Sequence, residues 1–333
     1  MLIEEQVSFA THSTFKVGGA IAYRVTIESL QDIADATAFI DAARLPHLVL
    51  GGGSNILARD ELLNAVAVRV GMNTITQRDS TTISVDAGAQ WDDVVAYAVQ
   101  NNVWGIENLS AIPGTVGGAV VQNIGAYGAA LSQVVVRVRA FDTLMKKEVE
   151  FDNAACKFGY RSSIFKSSLD RYILLNAQLC VAREAQPQIA YKDLALYFKD
   201  KRSPSLAEVR AAVQSIRSKK FPPLDAYGTA GSFFLNIVVN GEEAERLRNK
   251  YPDMPLFVLP EGGIKVPVGW FFEHILHLKG YQDGLVEAWR EQALVIVAHH
   301  GATANDVLKF VKKISDRAQT EIGITLVSEV RVL

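Results

Sequence analysis

The sequence predicts an α+β fold in two domains, and three observations support this prediction. The chain has 333 residues, 49% hydrophobic and 21% charged, which is enough for a real core and about two domains. Its first half mixes short helical patterns with many strand-like segments. Near residue 200 the composition shifts: DKRSPS at 200–205 is a polar, proline-containing break. We place the domain boundary at 200–220.

The elements of the first half follow from alternation and capping signals. Ser29 is predicted to cap a helix that runs to about Ala43. Its apolar stripe is Leu30, Ile33, Ala34 and Ile40. A hairpin is predicted at 74–89, and a helix from Asp92 to about Asn101, because acidic residues favour a first turn. Strands are predicted at 22–27, 47–50, 65–70, 134–151 and 172–182.

The second half has longer helical patterns. Ser205 is predicted to open a helix that ends at about Lys220, where FPP stops it. Further helices are predicted at 241–250, 267–278 and 303–320. Further strands are predicted at 233–239, 293–298 and 324–332.

Net charge and cysteine content limit which partners and which cellular compartment are expected. The net charge of −2 gives no general reason to expect nucleic acid or an anionic membrane as partner. Two cysteines, Cys156 and Cys180, do not make a disulfide framework, so a reducing compartment is expected. The sequence shows neither a signal peptide at MLIEEQVSFA nor an apolar run approaching 18 residues. We therefore expect a cytoplasmic protein and a monomer.

Two glycine-rich segments indicate a ligand. GGGSN at 51–55 follows a predicted strand, and its glycines let backbone N–H groups converge on an anion. It is neither Walker A nor the Rossmann fingerprint, in which Ile56 would be glycine. Residues 105–128 hold six of the chain's 24 glycines and are predicted to form a special loop. Together the two segments could bind one pyrophosphate, which favours a nucleotide or dinucleotide as ligand. The alternatives are a tight turn at 51–55 and an ordered Ω-loop at 105–128.

Three charged or polar positions have both a chemical and a structural interpretation. Arg161 lies among aromatics in FGYRSSIFK, and its planar fork suits a carboxylate, although surface packing is equally consistent. Glu329 lies in a strand-like segment, where an ion pair with Arg331 is the simpler interpretation. Ser232, in YGTAGSFFLN, has no GxSxG frame and no triad spacing. The basic residues of RSKKFPP at 217–223 complement a helix dipole.

The histidines do not predict a metal site. His274 and His277 lie three positions apart on a predicted helix, but neither HExxH nor a cysteine cluster accompanies them.

Taken together, these segments resemble the FAD-dependent UDP-N-acetylenolpyruvoylglucosamine reductases, also called UDP-N-acetylmuramate dehydrogenases, of bacterial peptidoglycan synthesis. IAYKDL at 189–194 resembles a tyrosine-bearing loop of the type I branch. The resemblance runs nearly end to end and rests on LGGGSNIL (50–57), IENLSAIPGTVGGAVVQNIGAYG (106–128), GYRSSIFK (159–166), AGSFF (230–234), LKG (278–280), QALVIV (292–297) and SEVR (328–331).

The resemblance implies an FAD-binding domain of the vanillyl-alcohol-oxidase type at 1–205, with subdomains at about 1–70 and 71–205. A smaller α+β substrate-binding domain would occupy 206–322, and a C-terminal strand at 323–333 would carry Glu329 to the active site. FAD would be bound without a covalent tether, since GGGSN has no histidine. The implied cofactor contacts are Gly51, Gly53, Ser54, Asn55, Pro113, Gly114, Gly117, Gly118, Gly125 and Tyr127.

The resemblance also implies the reaction. NADPH would reduce the flavin, and flavin N5 would then deliver hydride to the vinyl CH₂ carbon of UDP-N-acetylglucosamine enolpyruvate. Arg161 and Glu329 match positions that stabilise or polarise the resulting carbanion, and Ser232 matches the residue that protonates it. A neutral hydroxyl can protonate a carbanionic carbon without a triad, while the adjacent phenylalanines exclude water.

The substrate contacts implied by the resemblance are Tyr191, Lys220, Asn236, Lys265, Lys279 and Gln292. The sequence departs from the family's common SFFKNP at two positions, Leu235 and Ile237, so no role is carried over for these two. Two alternatives stay open: another FAD oxidase or dehydrogenase of the same fold, and a non-catalytic nucleotide-binding module. The presence of Arg161, Ser232 and Glu329 favours the reductase.

Overall fold

A computed structural model describes residues 1–168, 170–201, 203–259 and 262–333. The predicted break at 200–205 includes Arg202, which lies outside the described residues. The strands are β1 Leu2–Ser8, β2 Ala20–Ile27, β3 His47–Val49, β4 Ile56–Leu57, β5 Leu63–Val70, β6 Ile75–Gln77, β7 Thr82–Asp86, β8 Gly125–Ala126, β9 Ala129–Ala130, β10 Val135–Asp142, β11 Lys147–Asp152, β12 Tyr172–Cys180, β13 Gly228–Ser232, β14 Ile237–Val239, β15 Phe257–Val258, β16 Ile264–Val266, β17 Gln282–Asp283, β18 Val286–Ala288, β19 Val295–Ala298 and β20 Arg331–Val332. The helices are α1 Phe9–His12, α2 Asp32–Ala43, α3 Trp91–Gln100, α4 Val116–Gln122, α5 Ile164–Ser167, α6 Lys192–Tyr197, α7 Leu206–Lys220, α8 Gly241–Lys250, α9 Val268–His274 and α10 Ala304–Ile322, with 3₁₀ turns at Glu107–Leu109 and Leu131–Gln133.

The chain forms two compact units that are discontinuous in sequence. The first unit consists of Met1–Val7, Ile21–Gly53 and Asn64–Ser218. The second unit consists of Ser8–Ala20, Ser54–Leu63 and Lys219–Leu333. Two short N-terminal segments thus belong to the unit built mainly from the C-terminal part. The functional domains at 1–205, 206–322 and 323–333 stay a prediction.

The first unit contains two larger sheets of different kinds besides the β8–β9 hairpin. One has the order β1-β2-β5-β3, with β3 and β5 parallel, and the other is antiparallel in the order β11-β10-β12-β7-β6. Helix α3 packs onto the core because Trp91, Val94, Val95 and Ala98 recur on one face, and all four are buried. Strand β5 is buried along most of its length, as expected for a strand covered on both faces.

The second unit contains an antiparallel sheet in the order β13-β19-β18-β17 and a smaller one in the order β14-β16-β15, with β20 and β4 paired in parallel. Its longest helix, α10, begins at a capping box in which Thr303 and Asp306 exchange hydrogen bonds. It ends before Gly323, whose φ of 77° suits glycine. None of the described helices combines the length and apolar character needed to cross a bilayer.

Helix α2 corrects two predictions. It begins at Asp32 rather than after Ser29, because the Asp32 carboxylate accepts the N–H groups of Glu28 and Ser29 at 2.8 and 3.0 Å. Its buried positions are Ile33 and Ala36, whereas Leu30 and Ala34 of the predicted stripe are exposed.

Four further predicted elements are shorter or less continuous in the structure. Residues 105–128 are not a loop throughout, since they include α4, which Thr115 caps by accepting from the Gly118 N–H. The strand predicted at 324–332 is only β20. Of the strand predicted at 233–239 only β14 forms, and β13 ends before it at Ser232. Residues before β14 bond to two different segments instead of one strand: the Phe233 N–H donates to the Leu294 carbonyl at 2.8 Å and the Leu235 N–H to the Val327 carbonyl at 2.9 Å. Helix α9 ends at His274, before His277 turns to a positive φ.

Candidate active site

The two glycine-rich segments approach each other in the first unit. A Cβ built on Gly51 would lie 2.6 Å from Thr115 Oγ1, and one built on Gly52 would lie 3.0 Å from Gly114 Cα. A side chain at Gly51 would collide with the Thr115 hydroxyl, and one at Gly52 would crowd the Gly114 backbone, which explains these two glycines. The structure therefore joins the two segments as a shared pyrophosphate site requires, and the individual phosphate contacts stay a prediction.

The start of α4 shows which glycines the protein itself requires. The Gly117 N–H donates to the Ala87 carbonyl at 2.8 Å, and a Cβ on Gly117 would lie 3.3 Å from Ala87. Backbone packing thus explains Gly117 without a ligand. At Gly118 an added Cβ would meet only Thr115 Oγ1 at 3.7 Å, so this glycine leaves room beside the loop.

Arg161 is fixed beside Gly125. The backbone of Arg161 has a φ of 53°, and its Nη2 donates to the Gly125 carbonyl at 2.7 Å. Lys166 Nζ donates to the Arg161 carbonyl at 3.0 Å and to Gln122 Oε1 at 2.8 Å. These bonds hold the guanidinium at the β8–β9 hairpin. A predicted catalytic residue and a predicted cofactor contact are therefore adjacent.

The same hairpin brings two predicted ligand-binding tyrosines together. The rings of Tyr127 and Tyr191 are 5.6 Å apart in an edge-to-face arrangement. Burial raises the pKa of Tyr127 to about 12, although the charge of Arg217 opposes this shift. The Tyr127 hydroxyl is thus protonated at neutral pH and can act as a donor. Tyr191 precedes α6 and is 47% exposed.

Sequence reasoning missed the residues that hold the segment preceding Pro113. Asp92 accepts the Ala111 N–H at 2.6 Å and both terminal nitrogens of Arg210 at 2.8 Å each. Arg217 Nε donates to the Ala111 carbonyl at 3.1 Å. Arg210 and Arg217 lie seven positions apart on α7, and this spacing places both on one helix face, which is the signal that could have identified them.

In the second unit, the segments of Ser232 and Glu329 lie side by side. The Glu329 N–H donates to the Phe233 carbonyl at 2.8 Å, and Phe234 forms an antiparallel bridge with Ser328. Asn55 Nδ2 donates to the Glu329 carbonyl at 3.1 Å. Two predicted catalytic residues and one predicted cofactor contact therefore share one neighbourhood.

The remaining substrate candidates occupy different places in the second unit. Asn236 Oδ1 accepts the Val268 N–H at 3.0 Å and so caps the start of α9. Gln292 lies in the turn after β18, and its Oε1 would be 3.8 Å from a Cβ on Gly269. Lys265 lies on β16 with Nζ 5.1 Å from the Phe257 ring centroid. Lys220 is the last residue of α7, and Lys279 Nζ lies 3.8 Å from Glu273 Oε1. The predicted cofactor contact Ser54 is the first residue of this unit's second segment, Ser54–Leu63.

The glycine-rich loops of the first unit fit the diphosphate of FAD, because a side chain at Gly51 or Gly52 would crowd the opposite loop and their backbones stay accessible to a ligand. Within the residues that the structure describes, no three His, Cys, Asp or Glu side chains form a group able to hold a metal ion.

Comparisons with known proteins match both parts of the chain. The model of an FAD binding domain matches residues 21–144, and that of the UDP-N-acetylenolpyruvoylglucosamine reductase C-terminal domain matches residues 222–333. The UDP-N-acetylenolpyruvoylglucosamine reductase of Cupriavidus pinatubonensis is 37% identical over 97% of this chain and 96% of its own length. The chain belongs to this reductase family. The Pseudomonas aeruginosa reductase is 34% identical over 98% of each chain.

The crystal structure of a UDP-N-acetylenolpyruvylglucosamine reductase from Thermus caldophilus shows the same fold, with a TM-score of 0.71, 23% identity and coverage of 100% and 99% of the two chains. The predicted α+β architecture, with an FAD-binding domain of the vanillyl-alcohol-oxidase type, is therefore confirmed. So is the prediction of an FAD-dependent oxidoreductase of peptidoglycan synthesis.

Proposed function

We propose that Ser232, Glu329 and Arg161 perform the chemistry of this reductase, which converts the enolpyruvyl group of UDP-N-acetylglucosamine enolpyruvate to the lactyl ether of UDP-N-acetylmuramate. The observation that carries the proposal is the hydrogen bond from the Glu329 N–H to the Phe233 carbonyl. This bond joins the main-chain segments of Ser232 and Glu329, which are distant in sequence, and so supports a shared role for the two residues.

Bound FAD, reduced by NADPH, supplies the hydride for the vinyl CH₂ carbon. The glycine segments of the first unit would hold its diphosphate through backbone N–H groups, and Ser54, Asn55, Pro113, Gly125 and Tyr127 would add contacts. We propose that the cofactor is bound without a covalent tether. Acid precipitation should then leave the yellow colour in the supernatant, and colour retained in the pellet would contradict this.

Ser232 would donate a proton to the carbon that bears the carboxylate, so that one hydride and one proton saturate the double bond. Phe233 and Phe234, which are 1% and 3% exposed, provide an apolar surrounding that limits competing water. Arg161 would offset the charge that develops on the carboxylate, since a planar guanidinium matches that group. Glu329 would act on the same intermediate, which it would help to stabilise or polarise.

Tyr191, Lys220, Asn236, Lys265, Lys279 and Gln292 would bind the UDP-sugar. We further propose that the protein acts as a cytoplasmic monomer. Size-exclusion chromatography with light scattering would test its oligomeric state.

Anaerobic titration tests the function. NADPH should bleach the flavin absorbance of the purified protein, and one equivalent of UDP-N-acetylglucosamine enolpyruvate should restore it. UDP-N-acetylglucosamine, which lacks the enolpyruvyl group, is the matched control and should leave the absorbance bleached. Failure of the enolpyruvyl compound to restore the colour would exclude the proposed reaction and favour another flavoenzyme of this fold.

A further inference from the structure

Strand β13 contains a β-bulge immediately before Ser232. Thr229 pairs with Val297 and Ser232 pairs with Val295, so two residues of β13 face one residue of β19 between these pairs. This count defines a β-bulge. Directly opposite residues of an antiparallel pair share one face of the sheet, whereas residues three positions apart in a regular strand lie on opposite faces. The bulge therefore sets which face of β13 carries the Ser232 hydroxyl.

The Thr229 side chain bonds to the backbone on both sides of this bulge. Thr229 is 4% exposed, and its Oγ1 donates to the Ile296 carbonyl at 2.7 Å. The same oxygen accepts the Gly231 N–H at 3.1 Å, where the glycine backbone has a φ of 77°. One buried hydroxyl thus joins β13 to β19 at the point where their register shifts.

The main chain is also held before and after the bulge. The Thr229 N–H donates to the Thr14 carbonyl at 2.9 Å, and the Phe233 N–H donates to the Leu294 carbonyl at 2.8 Å. Without its hydroxyl, Thr229 could no longer bond to the two backbone groups at the bulge, and unpaired buried groups cost free energy. The strand could reduce this cost by slipping one position, and such a slip turns each side chain to the other face.

We propose that Thr229 is a positioning residue for the protonation step, because its hydroxyl fixes the bulge and thereby the direction of the Ser232 Oγ–H bond. This inference rests on the proposed function, since it gives Thr229 an effect only through the serine that donates the proton. Proton donation requires the donor within hydrogen-bond reach of the carbon, so a small displacement of Ser232 slows this step.

The test compares the two half-reactions of the FAD-loaded variant Thr229→Val, in which a methyl group of similar size replaces the hydroxyl. In stopped-flow measurements, return of the flavin colour with UDP-N-acetylglucosamine enolpyruvate should slow by about 10–30-fold, while bleaching by NADPH should stay within about twofold of wild type. The solvent deuterium isotope effect on colour return should increase, because proton delivery becomes slower relative to hydride transfer. A purely structural threonine would lower the melting temperature without these two kinetic changes.

Two further variants serve as controls. Thr229→Ser keeps the hydroxyl and should return the flavin colour within about threefold of the wild-type rate. Thr143→Val is the matched control in the first unit, where Thr143 Oγ1 donates to the Arg171 carbonyl at 3.0 Å. It removes a hydroxyl bonded to a carbonyl outside the proposed site, and both half-reactions should proceed as in the wild type.

A double-mutant cycle tests whether Thr229 acts through Ser232. The double variant Thr229→Val/Ser232→Ala should return the flavin colour no more slowly than Ser232→Ala alone. Multiplied losses, or a wild-type rate in Thr229→Val, would overturn the inference while leaving the proposed function intact. If Ser232→Ala itself reacts at nearly the wild-type rate, both the inference and the proposed role of Ser232 are wrong. Should the valine variant lack a cooperative thermal transition, Thr229→Ala replaces it under the same criteria.

Discussion

Gly52 of the first unit and Gly231 of the second both lie in proposed ligand-binding segments, but the chain needs glycine there for different reasons. At Gly52 an added Cβ would lie 3.0 Å from Gly114 Cα, so the opposite backbone excludes a side chain. At Gly231 no heavy atom of the described residues beyond its chain neighbours would come within 4 Å of that Cβ, but φ is 77°. The first position is limited by space and the second by backbone conformation.

This difference matches two kinds of binding. In the first unit, we propose that glycine-rich loops offer backbone N–H groups to the FAD diphosphate. In the second unit, Gly231 of β13 leaves space next to Ser232, where we propose side-chain chemistry. The following predictions test this contrast, beginning with the largest expected effect.

Ser232→Ala should separate the two half-reactions. Bleaching of the flavin by NADPH should be nearly unchanged, because it needs no proton from this side chain. Return of the colour with the enolpyruvyl substrate should slow by about 10²–10⁴, or roughly 3–5 kcal/mol of transition-state stabilisation, in stopped-flow measurements. Ser232→Cys should recover part of the rate. A return within a few-fold of wild type would leave Ser232 as a structural residue of the turn.

Glu329→Gln should slow the same half-reaction by about 10²-fold, the lower end for a group that assists proton transfer. The backbone bonds to Phe233 and Asn55 do not depend on the charge, so stability should change by about 1 kcal/mol or less. Thermal unfolding and stopped-flow absorbance on one preparation separate the two effects. Normal turnover together with a lower melting temperature would assign Glu329 to structure alone.

Gly52→Ala and Gly231→Ala form a matched pair. Gly52→Ala should weaken FAD binding to the apoprotein by about tenfold and cost about 1–3 kcal/mol of stability, because the loops must move apart. Gly231→Ala should cost about 1–2 kcal/mol through its left-handed backbone and leave FAD affinity unchanged. Fluorescence titration with FAD and thermal unfolding measure the two quantities. Equal effects on FAD affinity would remove the distinction between the two regions.

The smallest expected effect concerns acid stability of the first unit. Partial burial alone would raise the pKa of Asp92, but the Arg210 guanidinium and the Ala111 N–H outweigh it and hold this pKa below its usual value. The carboxylate therefore stabilises the folded chain above the unfolded-state pKa of about 3.9, and this contribution is lost as pH falls through the lower folded-state pKa. Asp92→Asn should lower the melting temperature at pH 6 and have less effect near pH 3. An equal loss at both pH values would contradict this role of the charge.

Local sequence signals determined several elements correctly. The helix predicted from Ser205 to Lys220 is α7, because a capping serine and the following FPP define its ends within a few residues. The hairpin at 74–89 and helix α3 likewise follow from turn residues and from the spacing of apolar side chains. The motifs also identified the family, because glycine spacing and the segments around Arg161 and Ser232 are specific in combination.

Tertiary structure alone decided how distant segments meet. The 324–332 segment alternates like a strand, yet most of it is held by single hydrogen bonds to Phe233, Leu235 and Asn55, which no local pattern encodes. The partner of Arg217 was also not visible: helix spacing places it on one face with Arg210, but only the fold brings the Ala111 carbonyl to it. Short-range capping and periodicity act within a few residues and can be read from the sequence, whereas these bonds depend on the positions of segments that the whole fold must first bring together.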